Sequence, residues 1–265
     1  VMDVWFDSGS MPFAQYHYPF ENKDKFEANF PAGFISEAED QTRGWFYSLM
    51  AISTLLFDKT SYDSVLVMGL VQDENGRKMS KHLGNVVDPW SVLDAQGTDA
   101  VRWYFYTNSN PWLPSRFSSE AVTEGMRKFM ATIWNTLAFY TMYADIDKFD
   151  PCAYELDYSN LPVMDRWLLA KLTELIAKVD EKLSNKDMDI TGAARLIEKF
   201  ADELSNWYVR RCRERFWVGE MEEDKIKAYM TLYTTLEQVS RLIAPFTPFL
   251  AEEIYQVVAV SYTHL

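Results

Sequence analysis

Apolar residues recur along this chain with two different periods. Between Thr42 and Phe57 they fall at Trp45, Leu49, Ile52 and Leu56, steps that keep them on one side of a helix. The flanking stretches lose that period. Ser64–Gln72 (SVLVMGLVQ) is a continuous, β-branched apolar run bounded by polar turns, which predicts a buried strand. Ala32–Asp40 (AGFISEAED) opens with a shorter apolar run that reads as another. Strand, helix, strand in that order is a βαβ unit, so a parallel sheet with a right-handed crossover is expected.

Beyond residue 117 only the helical period remains. Ser118 and Ser119 offer an N-cap for a long helix reaching Asp147. Leu161–Asn185 carries Pro162 near its first turn and a stripe of Leu168, Leu172, Leu175, Ile176, Val179 and Leu183, with Glu174 and Lys178 paired on the opposite face. Further helices are expected over Thr191–Trp217, over Glu223–Ile243 and after Pro248, which makes a bundle. The Pro- and Ser-rich stretch SNPWLPSRFSSE (109–120) places the boundary. The expected fold class is α/β followed by all-α, with domains at 1–115 and 116–265.

Composition agrees with a packed protein: 265 residues, 48% hydrophobic and 15% aromatic. The longest apolar-rich run, LMAISTLLF from Leu49, is too short to span a bilayer. The opening VMDVWFDSGS has no basic region followed by an apolar stretch, so it is not a signal peptide and reads as a chain entered mid-domain. The net charge of −13 excludes a protein that coats nucleic acid nonspecifically. Both halves share that acidity, so any nucleic-acid contact must be concentrated on one face. Two distant cysteines, Cys152 and Cys212, and three histidines do not suggest a structural zinc site.

Against this background GRKMSKHLGN (76–85) stands out. No apolar face runs through it at either period, glycines flank it, and it brings Lys78 and Lys81 close together in sequence. It follows a predicted strand, and ligands of open parallel sheets bind beyond the carboxyl ends of strands. Two ammonium groups there suit a polyphosphate; a lone Lys-x-x-Lys is far more often a solvated basic turn, but the whole string is a much rarer pattern. Glu37, Glu39 and Asp40 cluster where a predicted strand gives way to a helix. They could accept from an ammonium or from ribose hydroxyls, or they could simply favour a helix N-terminus. In NWYVRRCRERFW (206–217), Arg210, Arg211, Arg213 and Arg215 sit among Trp207, Tyr208, Phe216 and Trp217. Such a helix can grip phosphate and stack bases, or it can pair with the bundle's acids.

Lys78-Met79-Ser80-Lys81 resembles the second signature of class I aminoacyl-tRNA synthetases, usually Lys-Met-Ser-Lys-Ser. His82 stands where the family has Ser, and Met68-Gly69 where many members have His-Gly. DVWFDSGS (3–10) and DQTRGWF (40–46) resemble the isoleucyl branch, the valyl enzymes lacking the Asp-Gln and Arg-Gly-Trp-Phe runs. SNWYVRRCRERFW (205–217) resembles that branch's anticodon-binding helix. The resemblance implies the C-terminal half of a Rossmann-like catalytic domain and a helical anticodon-binding domain. It implies ATP with Mg2+, isoleucine and isoleucine tRNA as partners, and a cytoplasmic monomer without membrane association or a zinc site.

By the same resemblance Lys78 and Lys81 are catalytic, and Gly69, Lys78, Met79, Ser80 and Lys81 bind ATP. Glu37, Asp40 and Gln41 meet the aminoacyl-adenylate, and Trp5 and Trp45 line the isoleucine side-chain pocket. Trp207, Arg210, Arg211 and Arg213 contact tRNA. The family's first signature and its editing insertion are not in the sequence, so the chain is expected to be a fragment, inactive alone. Its last residues, VSYTHL, break the preceding apolar pattern and are expected to be non-native. Alternatives are a non-catalytic helical tRNA-binding module, another class I synthetase such as the valyl enzyme, or an adenylate-forming ligase without a tRNA partner.

Overall fold

The structure, a computed structural model, describes residues 3–184 and 188–260. The terminal run from Ser261 lies outside the described residues. The chain forms two compact units, one of Val1–Ser80 with Pro111–Arg116, the other of Lys81–Asn110 with the residues from Phe117 onward.

The first unit begins with three short helices, α1 (Val4–Gly9), α2 (Met11–Ala14) and α3 (Lys23–Asn29). Strand β1 (Ile35–Ala38) leads through a 3-10 turn (Glu39–Arg43) into helix α4 (Trp45–Phe57), and strand β2 (Val65–Met68) follows. β1 and β2 are parallel, Ile35 opposite Val65 and Ala38 opposite Met68, as the βαβ pattern requires. A second parallel pair joins β3 (Val71–Gln72) to β4 (Ser115–Arg116). The core gathers on α4. Leu49 and Ile52 are buried, and Phe57 meets the rings of Phe26 and Phe30 at 5.3 and 5.1 Å. Helix α1 crosses α4 almost backbone to backbone at Gly9, where a Cβ would lie 2.8 Å from the Ser48 carbonyl.

Two expectations need correction here. The run Ser64–Gln72 is not one buried strand but two short strands with different partners. The break falls at Gly69, whose N–H donates to the Pro111 carbonyl at 2.9 Å. A Cβ on Gly69 would stand 2.4 Å from the Leu113 carbonyl, so the returning chain presses on the backbone there. Val65 and Met68 are exposed, and Leu66 and Val67 only half-buried, so β2 is not a buried strand. Leu56, expected on the buried stripe of α4, is also exposed, one turn beyond Ile52, which packs at Gly9 of α1.

The second unit opens with α5 (Pro89–Gln96), capped by the Asp88 carboxylate, and α6 (Thr98–Asn108). Helix α7 (Ser119–Gly125), capped by Ser118, runs through a π turn (Met126–Met130) into α8 (Ala131–Asp147). Then come α9 (Val163–Lys182) and α10 (Ile190–Asp202). A second π turn (Glu203–Val209) continues α10 into α11 (Arg210–Trp217). Helices α12 (Glu223–Ile243) and α13 (Pro248–Tyr255) follow, the last ending in a π turn (Gln256–Val260). The predicted stripe of α9 is buried at Leu168, Leu172, Leu175 and Val179, and Glu174 meets Lys178 on its outer face.

Three polar fastenings explain why α6 belongs to this unit. Arg102 donates to the carbonyls of Pro245 and Phe246, which close α12. Arg195 on α10 donates to the Thr107 and Asn108 carbonyls at the end of α6. Asp99, buried, accepts the Leu250 N–H at the start of α13. Trp103 then stacks on Phe129 at 3.7 Å in the centre of the unit. No described helix is long and apolar enough to cross a membrane.

Candidate active-site loop and nucleic-acid face

The Lys-Met-Ser-Lys run is held at its start by a tight turn. The Asp73 carboxylate, 8% exposed, accepts the N–H groups of Asn75 and Arg77 at 3.0 and 2.7 Å. The backbone closes the same turn, Asp73 N–H to the Arg77 carbonyl and Gly76 N–H to the Asp73 carbonyl, both 2.9 Å. Gly76 sits at φ +78, the left-handed region that a turn of this shape needs. Lys78 then forms an antiparallel bridge with Gln72, the last residue of β3. Met79 and Ser80 are half-buried, and Lys78 and Lys81 are exposed. The chain passes from the first unit to the second between Ser80 and Lys81.

Sequence inspection missed Asp73, although its signal is legible: an acid three residues before a glycine, ahead of a basic run, is a turn-building pattern. Gly69 has a structural reason to be glycine in the close passage of Leu113.

The acidic and aromatic candidates assemble around the start of α4. The Gln41 side-chain carbonyl accepts the Trp45 N–H at 2.8 Å and so caps that helix, and its amide donates to Asp40 at 3.3 Å. The Trp45 indole donates to the Ser8 carbonyl on α1 at 3.2 Å. Trp5 lies over Gly44, where a Cβ would come within 2.9 Å of its ring. Trp5, Gln41 and Trp45 are therefore one cluster where α1 meets α4, with Trp5 46% exposed. Asp40 adjoins it through Gln41. Glu37 is exposed on β1, and its residue pairs with Val67 of β2. Each of these carboxylates stands near the carboxyl end of a parallel strand, the edge at which open parallel sheets bind ligands.

The basic helix sorts its arginines clearly. Arg215 turns inward and holds Asp165 with two hydrogen bonds of 2.7 and 2.8 Å, and it also pairs with Asp224. Tyr208 donates to the same Asp165 at 2.7 Å. Burial disfavours the Arg215 charge, but the bonds to Asp165 and Asp224 outweigh it and raise its pKa. Burial also pushes the Tyr208 phenol well above its usual range, with the Asp165 charge adding to it. Arg210, Arg211 and Arg213 are exposed and make no salt bridge among the described residues. The Arg211 guanidinium lies 3.6 Å over the ring of Trp207, and Arg213 lies 5.7 Å from that of Trp217. Trp167 of α9 stands 6.4 Å from Trp207. It is an aromatic member of this face that spacing could not bring in from forty residues upstream.

Residues 1–113 match the family described as tRNA synthetases class I (I, L, M and V), and residues 165–265 match the anticodon-binding domain of tRNA ligase. The isoleucine–tRNA ligase of Clostridium novyi (strain NT) is 59% identical over 261 residues, 98% of this chain and 25% of that protein. That of Bacteroides fragilis (strain YCH46) is 49% identical over 258 residues, 96% of this chain and 22% of that protein. The chain thus spans about a quarter of the length of the curated relatives it matches.

Among solved structures, a Mycobacterium tuberculosis methionyl-tRNA synthetase bound by methionyl-adenylate superposes with a TM-score of 0.77 at 20% identity. It covers all of this chain and 53% of that one. An Agrobacterium radiobacter K84 LeuRS–tRNA–LeuAMS complex gives 0.71 at 20% identity, over 98% and 32%. These two likenesses establish the fold. The match over 1–113 sets aside a purely helical RNA-binding module, and the relatives set aside the valyl branch. With near-complete coverage at high identity and both family domains in order, the chain belongs to the isoleucine–tRNA ligase family of class I tRNA synthetases.

Proposed function

We propose that this chain supplies part of the adenylate-forming site and part of the tRNA-binding surface of an isoleucine–tRNA ligase. In that reading the enzyme condenses isoleucine with ATP to isoleucyl-AMP and pyrophosphate, then passes the acyl group to isoleucine tRNA. Residues 1–115 contribute to the catalytic domain and 116–265 to anticodon binding. The observation that carries it is the loop at 78–81, two exposed lysines following a hydrogen-bonded Asp73–Arg77 turn beyond a strand end. Lys78 and Lys81 stabilise phosphate charge as it develops, and Gly69, Met79 and Ser80 complete the ATP site beside them. Glu37, Asp40 and Gln41 receive the ammonium and ribose of the adenylate, and Trp5 and Trp45 wall the aliphatic side chain. No side chain here needs to be a nucleophile, because positioning and electrostatics carry the rate.

Mg2+ enters with ATP as part of the substrate. The described residues gather no group of three His, Cys, Asp or Glu that could hold an ion, so none is assigned to it. A cytoplasmic monomer is the proposed working form. Trp207, Arg210, Arg211 and Arg213 present the anticodon-binding face, supported by their exposure and by the cation–π stack.

The test is Lys81→Ala in a full-length isoleucine–tRNA ligase carrying this segment, assayed by isoleucine-dependent ATP–pyrophosphate exchange. The kcat should fall by about 10²-fold or more, with a smaller change in the isoleucine KM. A loss confined to the isoleucine KM would overturn the assignment.

A further inference from the structure

The strand register in the first unit brings a third cation to the active-site loop. Arg116 is the Cα partner of Gln72 across β3 and β4, and Gln72 is bridged on its other edge to Lys78. Lys78, Gln72 and Arg116 thus form one row across three adjacent chain segments. Directly paired residues project to the same face of a sheet, and neighbouring segments lie about 4.8 Å apart, so the two cations are roughly 10 Å apart at the backbone on one face. Their long side chains can converge on a single anion.

The guanidinium also lies against the turn that supports the loop. A Cβ on Gly76 would be 3.1 Å from the Arg116 Nε and 3.4 Å from Nη2. Arg116 is exposed, so a ligand on that face can reach it. Sequence reading passed over it because it lies 35 residues beyond Lys81, within a stretch that reads as linker.

We propose that Arg116 is a further catalytic residue of adenylate formation, acting with Lys78 on the ATP polyphosphate. The guanidinium forms charge-assisted hydrogen bonds to phosphate oxygens as an isoleucine carboxylate oxygen bonds to the α-phosphorus, the bond from that phosphorus to the bridging oxygen breaks, and negative charge collects on the departing pyrophosphate. The inference rests on reading the 78–81 loop as a polyphosphate site.

The experiment compares Arg116→Ala, Arg116→Lys and Arg116→Glu with Lys78→Ala in a full-length ligase carrying this segment. It measures exchange kinetics with ATP and with pyrophosphate, melting temperature, and transfer to tRNA. Arg116→Ala should lower the kcat of exchange by about tenfold, Arg116→Glu should lower it further, and Arg116→Lys should restore most of it. The isoleucine KM should stay within about twofold of the parent in all three. If Lys78→Ala is impaired while Arg116→Ala keeps its kcat and its ATP KM, the role of Arg116 is overturned and the loop reading stands. If Lys78→Ala is unimpaired, the loop reading itself falls, and the role of Arg116 with it. Equal losses in the Ala and Glu variants with lowered melting temperatures would assign Arg116 to the turn. Intact exchange with impaired tRNA transfer would assign it to RNA. Either result overturns the proposal.

Discussion

Arg215 grips Asp165 through two hydrogen bonds of 2.7 and 2.8 Å, joining α11 to α9 across fifty residues of sequence. Asp165 has no exposed side chain and Arg215 is 16% exposed, so the pair lies where water cannot replace either partner. Arg215→Ala should therefore leave an uncompensated buried carboxylate, at a cost of about 3–5 kcal/mol. Thermal unfolding of the chain should show a melting temperature lower by on the order of 10 °C. Arg215→Lys should recover only part, since an ammonium cannot make the bidentate contact. An unchanged melting temperature in Arg215→Ala would contradict the role given to the pair.

The three outward arginines should behave in the opposite way. Replacing Arg210, Arg211 and Arg213 with Gln in a full-length ligase should leave the melting temperature nearly unchanged, because none pairs with an acid among the described residues. Binding of isoleucine tRNA should weaken, and the log–log salt slope should flatten by roughly one unit for each arginine–phosphate interaction removed. Adenylate formation should be unaffected. A large melting loss with an unchanged slope would remove these residues from the tRNA face.

Gly69→Ala tests the break between β2 and β3. The added methyl group would stand 2.4 Å from the Leu113 carbonyl, which belongs to backbone and cannot rotate away as a side chain could. Overpacking of this kind costs about 1–3 kcal/mol. A lower melting temperature is expected, together with slower ATP–pyrophosphate exchange in the full-length enzyme, because β3 leads directly into the Asp73 turn. Wild-type stability in this variant would show that the passage is loose.

Asp99 makes stability depend on pH. Burial raises its pKa above the ordinary 3.8, against the lowering effects of the Leu250 N–H and of Arg102. A carboxyl whose folded pKa is raised contributes most below the unfolded value, and that contribution is lost as pH rises through the folded pKa. Asp99→Asn keeps an acceptor for Leu250 but cannot ionise. The melting temperature of Asp99→Asn relative to the parent should therefore rise as pH increases from below 3.8 through the raised folded pKa, then level off. A difference that shrinks with rising pH would reverse the sign argued here.

The helices were legible in the sequence because their causes are local. Ser118 caps α7, Pro162 stands at the start of α9, and the stripe from Leu168 to Val179 is buried as its spacing requires. The loop at 78–81 was legible because its residue types make no sense as core. What local pattern could not show was set from a distance. The strand run at 64–72 splits at Gly69 because residues 111–114 return against it. Spacing cannot tell Arg215 from Arg211 on the same helix, and Asp165 makes the distinction. The fastening of α6 depends on Arg195 and on the α12–α13 junction, which no pattern near residue 100 announces.

The bond between Asp99 and Leu250 also sets a timetable. The two residues are 151 positions apart, so α6 leaves the ribosome long before the start of α13 that it receives. At about 5–20 residues per second the wait is roughly 8–30 s. Throughout it the Asp99 carboxylate, later enclosed, is open to water, and Trp103 has only the nearer helices to pack on. The packing around Asp99 thus waits for α13, and a ribosome stalled within α12 would hold an α6 whose carboxylate has not yet met its partner.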